Sequence, residues 1–283
     1  MGDSTSLVSF GDWAKPVDTL IVKISDALGG LYRPYQIRRV AQAEADADKI
    51  RAVAQIEIDE MQKRAIQRFV LEETKKQENI ESIMGKAFPE VSAEAKPENI
   101  EDDWIANFFD KCRLISDEDM QALWARILAG EANSPGKFSK RTIGLLASLD
   151  KTDAETLRTL CSFGFLIGVY FETLVYSAKD QIYADRGVDF DSLSHLETIG
   201  LIQFDVVSGY TMSLQTRAGF TSYFGQKLWL EFPQGQESTL HLGCVLLTQS
   251  GRQLASICAA VPVDGFADYV KEKWKSFGYK TEP

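Results

Sequence analysis

Ser116-Asp-Glu-Asp-Met-Gln-Ala-Leu-Trp-Ala-Arg-Ile-Leu-Ala-Gly-Glu131 is the stretch that decides how this chain folds. Met120, Leu123, Trp124, Ile127 and Leu128 recur at the three- and four-residue steps of an amphipathic helix. Ser116 to Asp119 reads as a capping box before it and Gly130 as the C′ residue after it. On the N-terminal side, Trp104, Ile105, Phe108 and Phe109 share one face of a second helix. On the C-terminal side, Asn133-Ser-Pro-Gly136 makes a turn into a helix holding Ile143, Leu145, Leu146 and Leu149, and Thr152-Asp-Ala-Glu155 caps another. Together these predict a compact helical domain over 98–160 with its own aromatic core.

Further upstream, 89–97 contains Pro89 and Pro97 and little apolar sequence, and reads as a linker. Pro16 opens a helix whose apolar positions are Val17, Leu20, Ile21, Ile24 and Leu28, stopped by Gly29-Gly30. Tyr35 to Met84 then runs without Gly or Pro, about 75 Å if helical throughout. Val40, Ala47, Ala54 and Met61 repeat every seven residues, a narrow seam that suits a coiled coil or a helical hairpin; a solvated helix held by i,i+4 charge pairs is the other reading. Residues 1–88 are thus expected as an amphipathic helix plus a long Ala-rich helix.

Downstream of 160 the texture becomes mixed, and 161–283 is expected as an α+β domain. The fold class is therefore mainly α with a C-terminal α+β part. Phe163 to Ala178 is apolar, but it has 16 residues and contains Glu172 where a span needs about 20 apolar ones, so it reads as buried core. Leu196-Glu-Thr-Ile-Gly-Leu-Ile202 and Leu247-Thr-Gln-Ser-Gly-Arg-Gln-Leu254 read as a helix stop entering a strand and a strand entering a helix capped by Thr248. That order is similar to winged-helix domains of bacterial regulators. The helix from Ser192 to Thr198 contains Glu197 and no Lys or Arg, which fits protein contact better than groove reading.

The 283 residues carry 31 bases against 41 acids, a net charge of −10, with 45% hydrophobic residues. Such a chain folds, and its charge argues against a nucleic-acid coat or a polybasic anchor. Partition shows no specialised acidic domain: 1–99, 100–160 and 161–283 carry −3, −3 and −4. Arg33, Arg38 and Arg39 form the one local basic cluster, a candidate contact for anions or lipid headgroups. Cys112, Cys161, Cys244 and Cys258 contain no Cys-x-x-Cys pair and predict reduced thiols in a cytoplasmic protein. No basic then apolar leader opens the sequence, so a secretory signal is not expected.

Catalytic patterns fail on geometry. Gly130 to Lys137 has five residues between its glycines where a phosphate loop has four, and Phe138 stands where Ser or Thr would hold magnesium. Ser134-Pro-Gly-Lys137 cannot form the helical turn that a Ser-x-x-Lys pair needs. Asp191 lies four residues before His195, but two ligands do not close a metal site. No local pattern supports a Cys-His nucleophile, and the acidic pairs Asp102-Asp103 and Asp117-Glu118-Asp119 sit in first helical turns, where the dipole favours them. No catalytic, cofactor or metal residue is assigned.

Tyr32 to Ala45, Arg68 to Ile83 and, above all, Asp103-Trp-Ile-Ala-Asn-Phe-Phe-Asp110, Ser116 to Glu131 and Pro135-Gly-Lys-Phe-Ser-Lys-Arg-Thr142 resemble a bacterial family known only as a domain of unknown function, related to abortive-infection proteins with a similar N-terminal region. The resemblance spans about 15–165; it implies a bacterial cytoplasmic protein with a role in phage defence and brings no catalytic residues. Core logic leaves Arg126, Glu131, Lys140 and Arg141 unexplained, so with Arg33, Arg38 and Arg39 they form the candidate interaction surface. The expected function is a non-enzymatic interaction protein without cofactors, binding protein partners and self-associating through the long helix. The alternatives are a winged-helix DNA-binding regulator and a membrane-active effector that lays its first helix on lipid.

Overall fold

The computed structural model describes residues 15–28 and 60–282, in which lie ten α-helices and eight strands. The composition is α plus β, with all strands after residue 160. The long-helix reading between 35 and 59 and the Gly29-Gly30 stop lie outside the described residues. The chain divides into two compact units, 1–143 and 144–283.

In the first unit α1 (Lys15–Ala27) buries Val17, Leu20 and Ile24 against α3 (Asp102–Cys112) and a 3₁₀ turn at Pro97–Asn99. Lys23 reaches Asp102 at 2.8 Å. α2 (Glu60–Ala87) packs its last turns, through Asn79, Ile83, Met84 and Ala87, on α4 (Glu118–Asn133). The core is aromatic: Trp104 stacks on Phe108 at 5.2 Å, and Phe108 meets Trp124 edge-on at the same centroid distance. The stretch 89–97 is held in place, because Asn133 accepts from Ser92 N at 2.7 Å and donates to Glu90 O at 3.0 Å, while Ala95 and Pro97 are buried.

Two expected caps are displaced by a residue or more. Asp117, not Ser116, caps α4, accepting from Asp119 N and Met120 N, and the helix runs through Gly130 to Asn133. Gly130 is instead a contact glycine: a Cβ there would lie 2.7 Å from the Phe138 ring. α5 (Lys140–Leu146) follows, and α6 (Lys151–Cys161) is capped by Asp150, with Asp153 as the reciprocal partner in place of the Thr152 box.

The second unit carries a four-stranded antiparallel sheet in the order β2-β1-β5-β6, from β1 (Gly164–Ile167), β2 (Tyr170–Thr173), β5 (Ala218–Tyr223) and β6 (Gln226–Glu231). Two ribbons complete the strands: β3 (Ile202–Phe204) with β8 (Val245–Leu247), and β4 (Tyr210–Ser213) with β7 (Thr239–Gly243). The helices are α7 (Gln181–Ala184), α8 (Phe190–Thr198), α9 (Gln249–Ala255) and α10 (Phe266–Ser276). Phe163, Phe165, Tyr223, Phe266 and Trp274 form its ring cluster. Phe163 to Ala178 is therefore strand and core, and no described helix is long and apolar enough to cross a membrane.

Candidate functional site

The first half of α2 has the features of a contact surface. Residues 60–75 are all exposed, and at 1.5 Å per residue they reach roughly 24 Å along the helix. Ile66, Phe69 and Val70 lie on one face at helical spacing and are 39%, 63% and 49% exposed. The flanking ion pairs, such as Lys63 with Glu60 and Lys76 with Glu73, are local i,i+3 contacts worth little for stability.

A buried polar node fixes the direction of that half-helix on its unit. Asn79 Nδ2 donates to Arg113 O at 2.9 Å and Asn79 Oδ1 accepts from Ser116 at 3.3 Å. Gln121 Nε2 donates to Ile115 O at 2.9 Å, while its Oε1 accepts from Ser82 at 2.7 Å and Lys86 at 2.8 Å. Side-chain amides suit this role because each offers both donors and acceptors to neighbouring chain. Ser116 thus serves the node rather than the helix cap.

Of the expected surface, Arg33, Arg38 and Arg39 lie outside the described residues. Lys140 and Arg141 are exposed in the first turn of α5, Lys140 within 3.6 Å of Asp103, and Arg126 is half-buried on α4. Glu131 does not belong to that surface. It is buried, and its oxygens accept from Gly136 N at 2.6 Å and Phe138 N at 2.8 Å, closing the turn after α4. Burial pushes its carboxyl above the ordinary value, against the two amide bonds. Trp104 Nε1 donates to Phe138 O at 2.6 Å and completes the staple. A cleft of about 690 Å³ lies here, lined by Glu101, Trp104, Glu131, Phe138 and Lys140 among others, but the Glu131 oxygens and the Gly136 and Phe138 amides are already paired with one another. The Gly130 to Lys137 loop is a helix-to-helix turn.

In the second unit the two phrases singled out by sequence meet. Thr248 Oγ1 donates to the carbonyls of Gly200 and Leu201 at 2.8 and 3.0 Å and accepts from Gly251 N at 3.0 Å. A Cβ on Gly251 would stand 2.0 Å from Leu201 O, so only glycine lets α9 start that close to the α8–β3 junction.

His195 pairs not with Asp191 but with Asp153, at 2.6 Å and 42 residues away, joining α8 to α6. Asp153 also accepts from Asp150 N, so the pair ends in a helix cap. Glu172 is buried and Arg252 grips its Oε1 through Nε at 2.7 Å and Nη2 at 2.6 Å; burial still leaves the carboxyl raised. Sequence reasoning missed both pairs, because their partners lie 42 and 80 residues apart. All four cysteines are buried free thiols, and no cluster of three metal-ligating side chains occurs among the described residues. The apolar face of α1 is buried in its unit.

The described residues thus form a two-unit α plus β protein whose buried polar groups serve packing and whose exposed apolar residues stand on a helix and on a sheet. The chain belongs to the family described as Protein of unknown function (DUF2806), whose model matches residues 63–271. No curated protein and no solved structure matches it.

Proposed function

We propose that the chain is a non-enzymatic interaction protein that self-associates through α2. The observation that carries this reading is the exposed face of Ile66, Phe69 and Val70 on a half-helix that its own unit leaves bare among the described residues. Gln62, Ile66, Phe69 and Glu73 follow the four-three spacing of a helix-pairing seam, and pairing removes the apolar members from water. Light scattering on the full chain tests it. Phe69→Glu with Val70→Glu is expected to lower the subunit count with an unchanged circular dichroism spectrum; an unchanged count overturns the reading.

For the second unit we propose a winged-helix-like arrangement used for protein contact. The succession of α8, β3, the β3–β8 pairing and α9 supports it. Glu197 accepts from Phe204 N at 2.8 Å and His195 is held by Asp153, so two polar side chains of α8 are engaged within the fold rather than turned to a nucleic acid. Lys140 and Arg141 are proposed as an accessory contact in the first unit. The proposed setting, cytoplasmic phage defence in a bacterium, rests on the resemblance of the central motif to abortive-infection proteins. Equal plating of phage on cells with and without the chain would remove it.

A further inference from the structure

β6 pairs with β5 along its whole length, whereas β1 meets β5 at a single pair, Leu166 with Ser222. The antiparallel ladder alternates, so successive residues of β5 aim their backbone groups at opposite neighbours. Tyr223 and Gln226 close the two-residue hairpin, and Phe232 N donates to Arg217 O at 2.9 Å, which places Arg217, Gly219, Thr221 and Tyr223 in the series that bonds β6. Ala218, Phe220 and Ser222 therefore aim their N–H and C=O groups the other way. Ser222 finds Leu166, but β1 ends at Ile167 and turns away through Gly168-Val169. Among the described residues no strand covers the edge at Phe220 and Ala218.

A groove of about 470 Å³ runs along that edge. Its inner wall includes Met212, Leu214, Thr221, Leu230 and Phe232. On the outer face Phe220, 60% exposed, meets Trp229 edge-on at 5.0 Å. A row of unpaired donors and acceptors beside an apolar slot is complementary to extended backbone carrying alternate apolar side chains. Charge narrows the occupant further. Arg217 and Lys280 share the single carboxylate of Glu231, at 3.2 and 3.6 Å, and Lys227 is exposed on the same face, so this edge is basic on a chain of net charge −10.

We propose that the free edge of β5 binds an extended, acid-flanked apolar peptide segment of a partner protein by strand addition. Backbone bonds to Ala218 and Phe220 hold the peptide. One set of its side chains fills the groove, and its carboxylates face Arg217, Lys227 and Lys280. This site is independent of pairing through α2.

Fluorescence anisotropy on the full chain tests the site, with a labelled heptapeptide of alternating valine and threonine ended by glutamates. Saturable binding is expected, weakened about tenfold when lysines replace the glutamates. N-methylation of one alternate set of peptide amides is expected to abolish binding and methylation of the other set to spare it, because only one set faces β5. Phe220→Pro removes an edge N–H without touching the β6 ladder and is expected to lose the peptide; Ala218→Pro does the same should the first variant misfold by circular dichroism. Absence of saturable binding, equal binding of both methylated peptides, or full binding to a folded proline variant would overturn the proposal.

Discussion

Glu131 is a carboxylate on which burial and two amide donors act in opposite directions, and burial prevails. A folded-state value above the ordinary one of about 4.3 means the folded chain holds the proton more tightly than the unfolded chain. The stabilisation that follows is complete below the ordinary value and is lost as pH rises through the raised one. Urea midpoints measured from acid to neutral pH should therefore fall more steeply for the wild-type chain than for Glu131→Gln; equal slopes would refute the assignment. At Gly251 the carbonyl of Leu201 leaves no room for a methyl group, and Gly251→Ala is expected to cost about 1–3 kcal/mol by chemical denaturation. Arg252→Met strands the buried Glu172 charge and is expected to cost about 3 kcal/mol, most of it recovered when Glu172→Met is added. A double variant no more stable than the single one would contradict that account.

Along α2, packing and exposure divide one helix into an anchor and an arm. The anchor depends on Asn79 and Gln121, whose amides answer the carbonyls of Arg113 and Ile115 at the α3–α4 turn. Asn79→Ala leaves Arg113 O without this donor and is expected to cost about 1–3 kcal/mol, with faster hydrogen exchange at 79–87 and 113–116. Unchanged exchange there would mean that apolar packing alone anchors the helix. The apolar stripes of α1, α3, α4 and α10 were legible in sequence because helical periodicity is local. Caps were legible only to within a residue or two. Ser116 and Asp117, or Asp150 and Thr152, are equivalent by residue type, and the path of the incoming chain chooses between them. Asn79 and Gln121 carried no readable signal, since amides on an exposed-looking helix become a node only after α2 meets the turn.

Across the whole molecule the acid excess is spread evenly, and the polar residues of α8 with known partners are tied to the protein itself. The chain is accordingly expected to give no mobility shift with duplex DNA at low salt; a shift that fades as salt rises would revive the regulator reading. Each unit has its own aromatic core, and the family match runs through both. The surfaces with functional meaning lie where a core is left uncovered: an apolar stripe on α2 and a strand edge on β5.

By itself the sequence determined which segments are helical, which residues are core, that the strands follow the helices, and that no local catalytic or metal pattern is present. All of these follow from spacing and composition within a few turns of chain. Only the tertiary structure decided that Glu131 closes a turn, that His195 belongs with Asp153 and Glu172 with Arg252, that Thr248 and Gly251 lock onto Gly200 and Leu201, and that β1 stops short of Phe220. The reason is physical: burial, pairing and exposed edges depend on which distant segments come to share space, and nearest-neighbour periodicity does not encode that.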